Sequence, residues 1–449
     1  MHKRALGAVA ISGVAALALS ACGGSTPTPT TQGSAAPAAS GTSSTTTSET
    51  SSAAPAPASS TTGAPVRDAN VDLVIWTDAD RAPTVKKIAD AFGQENGVSV
   101  SVQVAVDTRQ QFKDATKVGK GPDIVVGAHD WLGELVQENT VAPISLSADT
   151  AAKFAKTSID AAKFNGQNYG VPYAVENIAL MRNTDLAPDA PKTMDELVKT
   201  GTEIKSKSGG KVTNVLIQQV GKTGNAYYTY PYMSAFGGGI FGTTADGGFD
   251  ANKVIVDSAA SIKGAEALAK LGKDGILSTN VGDDNAEGLF DAGKAPYFIT
   301  GPWATTNAKK ANIKYAISDL PTLSGGGQMQ PFLGVQLFYV SAKAKNASIA
   351  QEFVTNYLTK KDVQLELFNA LGRPPALTEA LNEVSASNAD VKAFFAAGKD
   401  SKPMPNIPAM NSVWGPLGQA SADVIAGKAS ADARFKAAQA EIVANIKKG

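Results

Sequence analysis

One cysteine, two histidines and no excess of charge of either sign set the first limits on this chain of 449 residues. The lone cysteine, Cys22, cannot form an internal disulfide, so whatever folds must be held by its apolar core. A zinc site needs several His or Cys ligands, and His2, His129 and Cys22 do not supply them. A Ser-His-Asp relay would rest on His129, and no Gly-x-Ser-x-Gly turn offers the serine. Gly221-Lys222-Thr223 has the ending of a phosphate-binding loop, but Leu216 stands where its first glycine belongs. Asp246 to Asp250 lacks the ligand spacing of a calcium loop. Lysine plus arginine (41) balance aspartate plus glutamate (41), and no basic stretch alternates with aromatics, which argues against nucleic acid. These absences describe a binder, needing neither metal nor cofactor, more than a catalyst. One catalytic class stays open on residues alone: a pair of carboxylates can serve a glycosidase.

No long hydrophobic run is present either. The apolar segment Ala5 to Leu19 is about 15 residues, short of the roughly 20 that a spanning helix needs, and no second run follows. It is preceded by His2, Lys3 and Arg4 and followed by small residues, the layout of a secretory signal. Leu19-Ser20-Ala21-Cys22 resembles the lipobox of bacterial lipoprotein precursors. That resemblance implies a signal peptide over residues 1–21, lipidation of Cys22, and a lipid-anchored protein on the extracytoplasmic face of the cell membrane. Residues 22–65 are nearly all Ser, Thr, Ala, Pro and Gly, with the first charge at Glu49 and no Leu, Ile, Phe or Trp. Such a segment buries too little apolar surface to offset its ordering entropy and is expected to be a disordered tether. Its r.m.s. span is roughly 35–40 Å at 5–6 Å per square-root residue.

The remainder, about residues 66–449, is too long for one core, so two lobes are expected. Val71 to Trp76 reads as a buried strand. Val85, Ile88, Ala89 and Phe92 follow at helical spacing, closed by Gly97. Val98, Val100, Val102 and Val104 alternate as a half-buried strand, and Asp123 to Val126 is another short strand. This strand–helix–strand order indicates an α/β fold with a largely parallel sheet. Helices are expected around residues 259–273, across Ile349, Phe353, Val354, Tyr357 and Leu358, and near Phe435, Ile442 and Ile446.

Several segments set acids or aromatics beside expected strands: the loops Trp76 to Arg81 and Ala128 to Trp131, the extended run Tyr169 to Asn177, the aromatic-rich Ala226 to Pro231, and Thr300 to Trp303 and Asn406 to Trp414, each with a tryptophan. In open α/β sheets, ligands sit beyond the carboxyl ends of strands. Aromatic faces pack on the C–H faces of a sugar ring, and carboxylates accept from its hydroxyls.

Taken in order, Leu73 to Trp76, Gly121 to Ile124, Ala128 to Asp130, Phe164 to Gly166, Pro172 to Glu176, Gly301 to Trp303, Pro331 to Val335 and Met404 to Pro408 resemble the maltose/maltodextrin-binding proteins of bacterial ABC importers. The resemblance runs across about residues 70–449. It implies a type II periplasmic-binding-protein fold: two Rossmann-like lobes joined by hinge strands, with a ligand cleft between them. One lobe would hold residues 66–175 plus about 335–382. The other would hold about 176–334 plus 383–449. The protein would be a non-enzymatic, monomeric binding subunit that captures an α-glucoside such as maltose or maltodextrin and delivers it to ABC permease subunits with their cytoplasmic ATPase. Trehalose, a cyclodextrin, another solute and surface glycosidase activity are the alternatives.

Carried over by position, the resemblance places Asp80, Arg81, Asp130, Glu176, Tyr227, Trp303 and Trp414 at the ligand. Trp131 and Arg373 are added as candidate replacements, because this chain departs from the family's pattern. Gly127 replaces an aromatic, Trp131 an arginine, Asn225 an acid, and Gly415 and Gly418 an aromatic and an arginine. With Arg373 standing in for one of the two arginines, the expected cleft loses a cation, an acid and two stacking faces, and gains the face of Trp131. His129 is expected to be structural, and Trp76 to belong to the core.

Overall fold

A computed structural model describes residues 63–245 and 247–448. The expected signal segment, Cys22 and the tether up to residue 62 lie outside them. In chain order, the strands of the two principal sheets are β1 (Leu73–Thr77), β2 (Val100–Val104), β3 (Ile124–Ala128), β4 (Gly170–Glu176), β5 (Ala179–Asn183), β6 (Leu216–Ile217), β7 (Tyr297–Thr300), β8 (Tyr315–Ser318), β9 (Phe332–Val340) and β10 (Lys402–Pro403). The helices that matter to the site are α1 (Ala82–Asn96), α2 (Thr108–Lys117), α3 (Leu132–Gln137), α4 (Ala226–Ser234), α5 (Ala259–Lys273), α6 (Lys361–Leu371), α7 (Asn411–Ile425) and α8 (Ala431–Ile446).

The first sheet is built on β1, whose five residues are all buried. An unbroken apolar run suits a strand covered on both faces. β2 and β3 flank it in parallel, and the sheet runs β10-β9-β3-β1-β2, with β4 also paired to β9. The expected helix between β1 and β2 is α1, which buries Val85, Ile88, Ala89 and Phe92 and ends at Gly97 in the left-handed conformation. The second sheet runs β8-β5-β7-β6. Against it α4, α5, α7 and α8 pack on one another.

Each sheet has its own core. Trp76, Phe92, Phe112, Tyr173, Phe338 and Phe353 belong to the first. Tyr232, Leu268, Tyr297, Leu417 and Phe435 belong to the second, with a smaller cluster around Phe290 and Phe298. The chain passes from one core to the other where β4 leads into β5: Val175 lies in the first and Ile178 in the second. It returns along β9, from Phe332 in the second core to Val335 in the first. These antiparallel crossing strands pair Glu176 with Gly334 and Ala174 with Gln336. The fold is therefore α/β with two lobes joined by hinge strands.

One helix departs from the periodicity. After Ala347–Glu352 the backbone opens into a π turn at Phe353–Tyr357. The turn lets the Phe353 and Tyr357 rings stack at 5.9 Å and 19°, each meeting the edge of Phe92 at 5.1 and 5.3 Å. Ring packing thus overrides the regular helical spacing.

Asp123 fastens the first lobe. Its fully buried carboxylate accepts from Arg67 Nη2 (2.7 Å), Val74 N (2.8 Å) and Lys345 N (2.6 Å), joining the N-terminal segment, β1 and the loop after β9. Removing one member of a buried, hydrogen-bonded ion pair leaves the other charge unpaired. Asp123→Ala should therefore lower unfolding stability in urea by about 3–5 kcal/mol; a change below about 1 kcal/mol would contradict this role.

Candidate ligand-binding cleft

The cleft between the lobes has a volume of about 440 Å³. All the residues expected at the site line it: Asp80 and Arg81 after β1, Asp130 and Trp131 after β3, Glu176 at the end of β4, Tyr227 on α4, Trp303 after β7, Arg373 after α6 and Trp414 on α7. Four strands therefore present site residues at their carboxyl ends, where an open α/β sheet places its ligands.

The charges are largely paired within the protein. Arg81 donates through Nε to Tyr173 Oη (2.7 Å) and through Nη2 to Gln336 Oε1 (3.0 Å), and it forms an ion pair with Asp78. Burial alone would raise the Asp78 carboxyl, but the Arg81 guanidinium and N–H hold it below the usual carboxylate range. Glu176 is 6% exposed, accepts from Gln336 Nε2 at 2.8 Å and pairs with Arg373. The Arg373 guanidinium in turn lies 4.9 Å from the centroid of the Trp303 ring. Asp130 is also buried, and its Oδ2 accepts from Trp414 Nε1 at 3.0 Å, joining a residue after β3 to α7 of the other lobe. Asp80 is exposed and makes no hydrogen bond or ion pair with another described residue.

Two of the tryptophans are seated on glycines. A Cβ added at Gly301 would fall 2.1 Å from Trp303 Cζ3, and one at Gly127 would fall 1.9 Å from Trp131 Cζ3. Gly127 and Trp131 are thus one coupled arrangement, in which the missing side chain makes room for the tryptophan ring. Gly418 lies outside the cleft lining: α7 packs there against the loop before α4, so closely that a Cβ at Gly224 would lie 1.6 Å from Gly418 O. Asn225, at the end of that loop, lines the cleft and caps α4 by accepting from Tyr227 N at 3.1 Å. The Tyr227 ring stacks with Phe332 at 6.3 Å. Its hydroxyl is buried with no hydrogen-bond partner among the described residues, and that of Tyr228 is buried facing the Thr300 hydroxyl. Burial, reinforced by the Glu176 charge, raises the Tyr227 phenol well above its ordinary pKa, so it stays a neutral donor.

Further lining residues were not expected from sequence: Arg109 on α2, Gln219, Tyr228, Asp283, Glu287, Gln336 and Met404. Tyr228 carried a signal, since it adjoins Tyr227. Glu287 accepts from Asn307 Nδ2 at 3.0 Å, and burial together with Asp80 and Asp283 raises its carboxyl. Arg109 supplies a cation beside Trp131, with its guanidinium 5.8 Å from the ring centroid. The cleft therefore holds the guanidiniums of Arg81, Arg109 and Arg373, against the single cation expected to be lost.

His129 is fully buried behind this surface. Nδ1 accepts from Val335 N (3.1 Å), so Nε2 carries the proton and faces Met404 O (3.1 Å). The ring thereby joins the residue after β3 to β9 and to the segment leading into α7. It lines no part of the cleft. Trp76 is likewise fully buried, donating to Gln103 Oε1 at 2.9 Å.

Residues 87–396 match the family described as bacterial extracellular solute-binding protein. The chain is 31% identical over 369 residues to the galactooligosaccharide-binding protein of Bacillus subtilis (strain 168), covering 80% of this chain and 85% of that protein. It is 26% identical over 366 residues to the maltooligosaccharide ABC transporter solute-binding lipoprotein of Streptococcus pneumoniae (strain ATCC BAA-255 / R6), with coverage of 80% and 85%. It is 27% identical over 387 residues to the maltotriose-binding protein of Pyrococcus abyssi (strain GE5 / Orsay), with coverage of 83% and 82%.

Burial, outweighing the opposing pull of Asp130 and of the Met404 carbonyl, holds the His129 pKa below its ordinary 6.5. As pH falls the unfolded chain takes up that proton first. The stability contribution is therefore complete above about pH 6.5 and declines as pH drops towards the folded-state pKa. Thermal unfolding measured from pH 7.5 to 5.5 should show this decline, and His129→Gln should flatten it; an equal slope in both proteins would contradict the assignment.

Proposed function

Because the chain belongs to the bacterial extracellular solute-binding protein family, we propose that it captures a neutral oligosaccharide between its lobes and delivers it to an ABC import permease. The observation that carries this reading is the combination of aromatic walls with arginines already paired inside the protein, in a lining whose carboxylates outnumber its guanidiniums and so disfavour an anionic ligand. Trp131, Trp303, Trp414 and Tyr227 offer faces and edges for sugar rings. Arg81 and Arg373 are matched by Asp78 and Glu176, so the buried charges in the cleft need no counter-ion from a ligand. Open acceptor positions on Asp80 and Glu287 and the Tyr227 hydroxyl, unpartnered among the described residues, suit the hydroxyls of a carbohydrate.

Within this class we favour an α-glucan such as maltose or a maltodextrin, the ligand type named for the pneumococcal and archaeal relatives. A galactooligosaccharide is the second reading, favoured by the 31% identity to the Bacillus subtilis protein. The crossings at Val175–Ile178 and Phe332–Val335 form the hinge, and the lobes close on the ligand by rotation there. The protein works as a monomer, held at the outer face of the membrane by lipid on Cys22. No chemical step is needed: the family's role is binding.

Titration calorimetry against maltose through maltopentaose and a matching galactooligosaccharide series should give one site per chain with no release of reducing ends. Heat from neither series would sink the saccharide reading. For the saccharide that binds, Trp303→Ala and Trp414→Ala should each weaken affinity by about 1–3 kcal/mol, or roughly 5- to 150-fold. Unaltered affinity in both would remove the stacking assignment.

A further inference from the structure

We propose that Arg109 is a ligand-binding residue: the open edge of its guanidinium donates hydrogen bonds to saccharide oxygens on the Trp131 side of the cleft. The inference rests on the oligosaccharide reading above. It comes from comparing the guanidiniums that line the cleft. Arg81 is committed to Tyr173, Gln336 and Asp78, and Arg373 to Glu176 and the Trp303 face. Arg109 makes no hydrogen bond to any described residue. Its nearest carboxylate oxygens are Asp130 Oδ2 at 3.8 Å and Glu134 Oε2 at 4.0 Å, beyond hydrogen-bonding reach. The side chain is only 19% exposed, and Nη1 is buried with no partner. A half-buried guanidinium without hydrogen bonds is costly unless something completes it.

What completes it is constrained by its neighbours. Asp130 already balances the positive charge, Glu134 being paired with Lys113, which favours a neutral oxygen over an anionic group. The guanidinium lies over the Trp131 ring, so an oxygen bound at its edge belongs to a group that also meets an aromatic face. A pyranose has that combination, with an apolar C–H face and hydroxyl or ring oxygens at its rim. Arg109 thereby does from α2 what a cation at position 131 would otherwise do, and it selects for a sugar oxygen next to Trp131. Asp130, shared between Arg109 and the Trp414 indole, places this donor beside the cross-lobe contact.

The test uses the tightest binder from the maltooligosaccharide and galactooligosaccharide series. Arg109→Gln and Arg109→Ala should weaken it by about ten- to a hundredfold, as expected for loss of hydrogen bonds from a charged donor. Arg109→Lys should fall between these and the parent. A merely structural Arg109 could also lower affinity, so the deciding readout is a crystal structure of the saccharide complex. A guanidinium nitrogen should lie within about 3.2 Å of a ligand oxygen. Affinities within about twofold of the parent in all three variants, or a complex in which only protein atoms meet the guanidinium, would overturn the inference. If the unaltered protein binds no saccharide, the oligosaccharide reading itself fails and this one fails with it.

Discussion

The antiparallel pairing of β4 with β9 is the constraint from which the rest of the architecture follows. Each strand begins in one core and ends at or beyond the boundary with the other, so their ladder both separates the lobes and holds them in register. That register sets Glu176 opposite Gly334, with Gln336 two residues further along the same strand. Gln336 then donates to Glu176 and accepts from Arg81. A slip of one residue would turn these polar side chains to the opposite face and break both bonds. The hinge and the polar floor of the cleft are thus products of the same ladder.

Around that floor the cleft solves two problems in repeated ways. Buried charges are expensive unless matched: Glu176 is paired with Arg373, and the Arg81 guanidinium with the half-buried Asp78, before any ligand arrives. Large aromatic faces are useful to a ligand only if their orientation is fixed. Gly301 and Gly127 provide flat backbone seats for Trp303 and Trp131, while the Asp130 carboxylate and the Phe332 ring hold Trp414. Fixing these groups before binding reduces the ordering cost of association. From outside the cleft, His129 ties the turn that carries Asp130 to β9 and to the segment leading into α7, and Asp123 ties β1 to the loop after β9.

Much of this was legible in the chain because its signals are local. β1 announces itself as a continuous apolar run, α1 by its spacing and terminal glycine, and the site residues by short segments in which acids and aromatics stand together, whether they form loops, as at Asp80, or helices, as at Tyr227 and Trp414. Residues whose role depends on distant partners were not legible. Arg109 sits on an ordinary polar helix, and Glu287 on a short one; only tertiary packing brings them to the cleft. Gly127 and Trp131 read in sequence as a separate loss and gain, because Gly127 lies at the end of β3 and the turn after that strand folds Trp131 back over the glycine. Gly418 read as a lost cleft residue, whereas helix-to-loop packing occupies that side of α7. The π turn at Phe353–Tyr357 was hidden because the same apolar positions serve a regular helix equally well.

The account stands or falls on what occupies the cleft. Native mass spectrometry of the folded protein with an equimolar library of neutral saccharides, amino acids and small anions tests this directly. The account predicts a single saccharide bound per chain, lost when excess of the same saccharide in a distinguishable isotopic form is added. Retention of an amino acid or an anion in its place, or no bound species at all, would contradict it.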